Sequence, residues 1–542
     1  METQPQDDLH TLDESLHHLH LDIPYQPLRL DKMFLRASQW RQHSQVPATP
    51  QPPSPIRKHK VYPLPRPQQG VSPLGGLFHY TELIPCILDG FEHPREWTVL
   101  ARINRTVGEL ARKSLYEHVW VRPWEADPHT KLVKLFETFH HNPELCTLVK
   151  KLDVRFFPLG LRNEQRHDLD EKVRMALSRM INLEYLTWTR DKSLNPELLQ
   201  TIVTLPQLRS LEISGHSWRY YDPSLIGSMS KLEDLRIMMP DSNFRDSLHE
   251  IIKSLSERPG GGLKGLGIIH RMSPLVDDTL LIKMSESLEN LRRLTIWGCT
   301  RVTKDGIGEI IRRAEGLEEL SVDALSHSGL TDMSHFPPLP FLHTLSISIS
   351  PSKPLSSPST TSNLFPNSSF TSHKPIPPHS CPIPSLPPVP SLQSLHITYS
   401  NSQIPLLPHS IPFLSSQLSP GNLLKLSLLN FILSSDTLSL LLQEFRNLHE
   451  LYITLPSFEP VHQCFDLLSQ SKLKVLHVNL PDRGSGVEEI EGLVERMKWL
   501  EEVGMGNRVY EVVRTYEEGM KKVELVRWGK TSIPRYFQIW RG

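Results

Sequence analysis

The residues that could do chemistry are few and scattered. Five cysteines (Cys86, Cys146, Cys299, Cys381 and Cys464) lie far apart, with no CxxC pair among them. A structural zinc site needs Cys or His pairs a few residues apart, and a disulfide framework needs an even set, so the spacing fits neither. It fits a protein of a reducing compartment, cytoplasmic or nuclear. Four histidines, His10, His17, His18 and His20, gather in the acidic stretch Asp7–His20. Metal binding is one reading. A solvated or transiently helical tail is the other, and no further ligands converge there. Gly260-Gly261-Gly262 follows Pro259 without the strand-then-helix context or the trailing Lys-Ser/Thr of a phosphate loop, and reads as a turn. The chain holds no GxSxG elbow, no HExxH and no GxxxxGK followed by Ser or Thr. The expectation is a non-enzyme with no catalytic, cofactor or metal-ligating residues, whose function lies in its surfaces.

Length and charge narrow the class. A chain of 542 residues exceeds one ordinary core, so several domains or a repeat array are expected. Lys and Arg (59) nearly balance Asp and Glu (60), which argues against a general polyanion binder, and no nucleic-acid partner is expected. The N-terminus is polar and acidic, with no signal-peptide core. No run of 18 apolar residues exists, so no membrane partner is expected either. The 47 prolines are unevenly spread. Residues 1–75 read as a disordered Pro-rich tail, which carries the basic patch Arg57-Lys58-His59-Lys60. Within it, Ser54-Pro55 has the form of a proline-directed kinase site, and Pro63-Leu64-Pro65-Arg66-Pro67 could form a polyproline helix.

The organising pattern is a spacing, leucine-x-x-leucine-x-isoleucine. It is clearest at Leu291, Leu294 and Ile296 and recurs along most of the chain. Its starts fall at Val149, Leu183, Leu208, Leu232, Leu263, Leu291, Leu317, Leu342, Leu392, Leu423, Leu448, Leu473 and Leu500, mostly 24 to 31 residues apart. That period falls within or just beyond the range of leucine-rich repeats. One interval is 34 and another is 50, the latter readable as two repeats of 25. The long interval contains Ser350–Pro390, a Ser/Pro/Thr-rich segment without apolar periodicity, expected to be a disordered insertion; Ser400–Pro420 reads as a smaller version. Helix-like pieces such as Asp246–Leu255, Gly306–Ala314 and Thr437–Phe445 separate the triplets. The expected architecture is an α/β leucine-rich-repeat solenoid over 130–505, a horseshoe with parallel strands on its concave face and helices outside. Val509–Tyr516 and Val523–Trp528 are expected to cap it within a C-terminal cap and tail, 506–542. Ile533–Trp540 either folds back onto the cap or is a short binding motif.

Side chains alternate along a strand, so the residues between the triplet's apolar ones project from the concave sheet. Most of these are small or polar. The exceptions, taken as candidate substrate-binding residues, are Tyr185, Arg236, Arg293, Trp297 and Tyr452. Trp297 stands out, because a Trp facing outward is the residue type enriched at binding hot spots. Contact with a neighbouring repeat or loop is the equal alternative. Cys299 sits where a small polar side chain in such repeats bonds backbone groups as the chain leaves the strand.

Ahead of the repeats, Leu83, Ile84, Ile87, Leu88 and Phe91 form a helical stripe. Two short helices follow, Trp97–Ile103 and Val107–Leu115, and then Tyr116–Val121, a strand or exit segment. Glu82-Leu83, Ile87-Leu88, Phe91, Leu100, Ile103, Arg105, Leu110-Ala111 and Leu115-Tyr116-Glu117-His118-Val119 together resemble the F-box of fungal proteins that pass directly into leucine-rich repeats. The family's opening Leu-Pro is replaced by His79-Tyr80-Thr81. The resemblance implies a three-helix unit over 77–121 that grips a Skp-type adaptor of a cullin complex through Leu83, Ile84, Ile87, Leu88, Phe91, Leu100 and Ile103. It also implies a protein substrate held on the repeats, and a role as the substrate-recognition subunit of an SCF-type ubiquitin ligase. The alternative is a repeat scaffold outside ubiquitination, whose helices merely cap the first repeat.

Overall fold

The apolar triplets become strands, and the strands stack. The computed structural model describes residues 94–527 apart from 104, 125–126, 259–261, 325–327, 350–382, 401–402, 481–486, 507 and 518–519. Within these, seventeen strands share one open sheet. They begin with β1 (His118–Val121), β2 (Lys151–Val154), β3 (Tyr185–Trp188), β4 (Ser210–Ser214), β5 (Asp234–Met238) and β6 (Gly265–Asp277). The sheet continues through β7 (Arg293–Arg301), β8 (Glu319–Ala324), β9 (Thr344–Ile349), β10 (Ser394–Tyr399) and β11 (Ile404–Leu406). It then runs through β12 (Lys425–Leu433), β13 (Glu450–Thr454), β14 (Val475–Asn479) and β15 (Glu502–Met505). Successive strands pair in parallel; β10 pairs directly with β12, and β11 lies beside the far half of β12.

The register barely drifts. One row runs Leu152, Leu186, Leu211, Leu235, Leu266, Leu294 and Leu320, and on through Leu345, Leu395, Leu426, Leu451, Leu476 and Val503, each aligned with the next. All of them are buried, and so are all thirteen triplet starts from Val149 to Leu500. Each Leu buried is worth about 1.5–3 kcal/mol. No single strand can bury its own row, so stability depends on stacking neighbours around one continuous core.

Helices close the other side of that core, apart from the first two, which pack mainly on each other around a small core of their own. They are α1 (Pro94–Leu100), α2 (Arg105–Glu117), α3 (Pro128–His141), α4 (Asn163–Arg179), α5 (Pro196–Val203), α6 (Ser242–Ser256), α7 (Asp278–Ser285) and α8 (Lys304–Arg313). Later come α9 (Ser410–Gln417), α10 (Ser435–Glu444), α11 (Glu459–Gln463), α12 (Phe465–Gln470) and α13 (Val487–Arg496). Short polar residues start several of them: Asn195, Asp241, Asp277 and Ser434 each accept a hydrogen bond from a backbone N–H of the first turn. Asp278 of α7 also accepts from the N–H groups of Thr303 and Gly306, at 2.8 and 3.2 Å, and so pins the start of α8 to the preceding repeat. Among the described residues no helix is long and apolar enough to cross a membrane.

Four boundaries differ from expectation. The 34-residue interval holds the 17-residue α4, a longer helix than its neighbours. The 50-residue interval is one repeat and not two, because β10 pairs residue by residue with β9 and leaves no room for a strand between them. Apolar packing resumes at Ile383 rather than after Pro390: Ile383, Leu386 and Val389 are buried, and Ser385 bridges to Asp332. Prolines between them forbid regular structure but not burial. In Ser400–Pro420, Ile404, Leu406, Ile411 and Leu414 are buried on β11 and α9, so this stretch is part of the core. The expected cap is an antiparallel hairpin, β16 (Arg508–Glu517) and β17 (Met520–Arg527), added to β15. Residues 1–75, the central stretch of the Ser/Pro segment and Ile533–Trp540 lie outside the described residues.

Candidate protein-binding face

The face of the sheet opposite the core is built from the residues between the leucines. One register row crosses it whole: Trp120, Asp153, Thr187, Glu212, Arg236, Gly267, Thr295, Ser321, Ser346, His396, Ser427, Tyr452, His477 and Gly504. Its two halves differ in chemistry.

The first half carries a ladder of alternating charge. Arg122 lies 3.4 Å from Asp153, Arg155 lies 2.9 Å from Asp153 and 2.7 Å from Glu212, and Arg236 lies 3.7 Å from Glu212. Burial opposes the Arg155 charge, but Glu212 and Asp153 outweigh it and raise its pKa further. Arg293 on β7 donates three hydrogen bonds to Asp234 on β5, at 2.6, 2.8 and 3.2 Å, reaching across β6. Gly265 makes that reach possible: a Cβ there would sit 1.8 Å from Asp234 Oδ1. Gly267 likewise leaves room for the Arg236 side chain. Arg293 is therefore held by a carboxylate two strands away, while Arg236 is paired more loosely with Glu212 on the adjacent strand. Tyr185 is 45% exposed with the Lys151 amine 6.0 Å from its ring, and Trp297 is half-buried.

In the second half the projecting residues are closed off. Tyr452 is a correction to expectation: it points to this face but is fully buried. Its hydroxyl donates to Glu450 at 2.9 Å, its ring meets His477 at 4.9 Å, and the Lys425 amine lies 5.3 Å away. It cannot meet a partner as it stands. His477 in turn bonds Glu502 at 2.7 Å and lies over Gly504, where a Cβ would collide with the ring. His396 is buried, and burial followed by the Lys425 charge pulls its pKa down to about 3, so the imidazole stays neutral. Between the halves the face dips into a pocket of about 200 Å³, lined among others by Thr295, Ser321, Ser346, Glu319, His396 and Lys425.

Cys299 is buried, with its thiol pushed up to about 12 by burial and secondarily by Asp323, and its S–H donates to the Trp297 carbonyl at 3.6 Å. That is the expected turn support. Among the described residues no group of three or more His, Cys, Asp or Glu side chains is placed to hold a metal ion.

One surface residue was not expected. Trp218, in the loop after β4, is 59% exposed. Its backbone N–H donates to Asp241 at 2.7 Å, Ser217 donates to the same carboxylate, and Tyr221 donates to the Ser214 carbonyl, so the loop is held while the indole stands free of the core. Met239 and Met272 are also exposed, at the ends of β5 and in β6. The signal was available in the aromatic cluster Trp218-Arg219-Tyr220-Tyr221, which lies just outside the triplet.

Of the expected adaptor-binding residues, Leu83, Ile84, Ile87, Leu88 and Phe91 lie outside the described residues. Leu100 packs on a small core formed by Trp97, Val107 and Ala111 of α1 and α2. Ile103 is exposed. The helices do not stand apart from the sheet. β1 follows α2 directly and pairs with β2, so His118–Val121, the end of the expected helical unit, is a strand of the sheet.

No protein-family model matches the chain, and no curated protein matches it. The chain is similar to one in the crystal structure of the Rad7 and Elc1 complex in yeast. Identity is 16%, the TM-score is 0.34, and the match covers 80% of this chain and 93% of that one.

Proposed function

We propose that this protein is the substrate-recognition subunit of an SCF-type ubiquitin ligase, an F-box-like helical unit followed by leucine-rich repeats. The helices would hold a Skp-type adaptor, and through it a cullin. The open face would hold a protein destined for degradation. The chain would form no bonds itself; its contribution is proximity. The observation that supports this most is the rigid join: α2 runs without a linker into β1, and β1 is hydrogen-bonded into the sheet. Anything docked on the helices is thereby fixed relative to the face. Val99 and Ile103 leave apolar surface unspent on the helical unit, at 66% and 51% exposure. The held, exposed Trp218 at the edge of the first half is the natural anchor for a substrate.

A second reading has its own observation. The last turn of α2 is tied into the first repeat by the Lys150 N–H donating to the Glu117 carbonyl at 3.0 Å and by Tyr116 against Phe139, as in a cap. A repeat scaffold without a ubiquitination role would need no more. Co-purification of the full chain with a Skp-type adaptor, beside the double variant Val99→Asp/Ile103→Asp, separates the two. The receptor reading expects capture by the wild type and its loss in the variant. A well-folded wild type that captures no adaptor leaves the scaffold.

A further inference from the structure

We propose that the exits of β3–β6 form a docking rim for an acidic, extended peptide segment that carries a bulky apolar side chain. This deepens the receptor reading by naming the class of protein that the face takes, and it rests on that reading only for the fate of what is bound. Parallel strands put all their exits on one edge of the sheet. Alternation carries the open face there through Met238, Ile269 and Trp297, which are aligned across β5, β6 and β7. All three are partly open. Met239 and Met272 lie beyond them and are exposed. Trp218 rises from the neighbouring exit with its N–H on Asp241, two residues past Met239. An exposed indole beside flexible, polarisable thioethers accepts a bulky apolar side chain of varied shape.

Charge selects what surrounds that side chain. Arg190 and Lys192 follow β3, Arg219 follows β4 and Arg271 follows the in-register part of β6; all four are exposed. Among the described residues none of the four is paired with a carboxylate, in contrast to Arg155, Arg236 and Arg293 of the ladder. The acids of the same exits are turned to the protein. Asp191 accepts from the Ser214 hydroxyl, Asp222 from the Ser224 N–H, and Asp241 from Ser217 and the N–H groups of Trp218 and Phe244. The backbone is strained at these exits too. Lys192, Arg219 and Met239 have φ of +61°, +67° and +55°, the left-handed region in which glycine would be relaxed. Their long side chains stand in solvent, so packing does not explain why they are kept there. From the β3 exit to the β6 exit is three strand spacings, about 14 Å, which an extended peptide covers in about four residues. The occupant is a segment with carboxylates at that separation and an apolar residue between them. A nucleic acid would bring the charge but would leave Met238, Ile269 and Met272 with nothing to bury.

The test uses the full chain alone, without an adaptor, and a fluorescein-labelled synthetic peptide of Glu-Glu-Phe repeats, read by anisotropy. Peptides of Glu-Glu-Ser and Lys-Lys-Phe repeats and a single-stranded oligothymidylate are the comparisons. The expected result is saturable binding of the Glu-Glu-Phe peptide, at least tenfold tighter than of any comparison, that weakens as salt rises. Trp218→Ala and Arg190→Glu/Arg271→Glu each weaken it at least tenfold, while Lys253→Glu, on α6, leaves it unchanged; urea midpoints confirm that each variant is folded. Arg219→Gly relaxes the backbone and removes a charge, so its midpoint holds while binding falls several-fold. Equal binding of the Glu-Glu-Phe and Glu-Glu-Ser peptides, equal binding by the wild type and both rim variants, no binding, or tighter binding of the oligothymidylate overturns the proposal. Absence of adaptor capture with peptide binding intact would overturn the receptor reading and leave this one standing.

Discussion

Gly298 sits at the point where β7 turns beyond its last in-register residue, and its replacement by alanine tests the geometry there. Its φ is +66°, in the left-handed region, and its N–H donates to Asp323 at 3.1 Å. A Cβ on this residue would lie 2.2 Å from the His270 carbonyl oxygen and 2.6 Å from its carbon. An L side chain in the left-handed region costs about 1–2 kcal/mol. The carbonyl is backbone and cannot rotate away, so the arm of β6 must move where its pairing with β7 already shifts, between Ile269 and Ser273. Forcing atoms into a packed site costs a further 1–3 kcal/mol or so, which brings Gly298→Ala to roughly 2–5 kcal/mol. Urea unfolding followed by tryptophan fluorescence reads this directly, with Gly421→Ala, where a Cβ would meet nothing within 4 Å, as the control. The expected result is a clearly lowered midpoint for Gly298→Ala and an unchanged one for Gly421→Ala. Equal midpoints would refute the claim that this turn requires glycine.

Further outcomes follow from the same geometry. Tyr452→Ala, at a fully buried ring, is expected to cost about 3–5 kcal/mol, while Tyr185→Ala, at a half-open one, stays within about 1 kcal/mol; urea midpoints compare them. Arg293→Ala removes a bidentate but partly exposed pair with Asp234 and is expected to cost about 1 kcal/mol, a difference that shrinks when the unfolding is repeated at high salt. Burial pushes the Asp323 carboxyl up to about 6, with Ser348 and the Gly298 N–H pulling back. A carboxyl with a folded pKa above its unfolded value keeps its proton longer in the fold, so this group favours folding below about pH 4 and loses that contribution as pH rises through 6. Asp323→Asn is expected to flatten that stretch of the stability–pH curve and to raise stability at neutral pH by about 1–2 kcal/mol, less than the full shift because the side chain is partly open.

The triplet spacing carried most of the core, because a leucine repeated at a fixed interval has only one way to stay dry: beside the leucine of the next repeat. Leu152, Leu294 and Leu476 were readable for that reason. Alternation along the strand also told which side Tyr452 and Arg293 point to. It could not tell what lies over that side. Tyr452 and Trp297 occupy comparable projecting places, and only the surroundings make one fully buried and the other half-open. The join at β1 was hidden because four residues, His118–Val121, carry too little alternation to separate a strand from a helix exit. The end of the insertion is not legible in the sequence, because Ile383, Leu386 and Val389 pack without regular structure and the prolines between them mask periodicity. Trp218 carries no periodic signal, because its loop lies outside the repeat unit.

The most direct measurement is binding of the purified full-length chain to a purified Skp-type adaptor by titration calorimetry. The expected result is a saturable one-to-one complex that Val99→Asp/Ile103→Asp weakens by at least an order of magnitude while the unfolding midpoint holds. A folded chain that gives no heat and no complex with the adaptor would contradict it, and would leave the helices as the cap of a repeat scaffold.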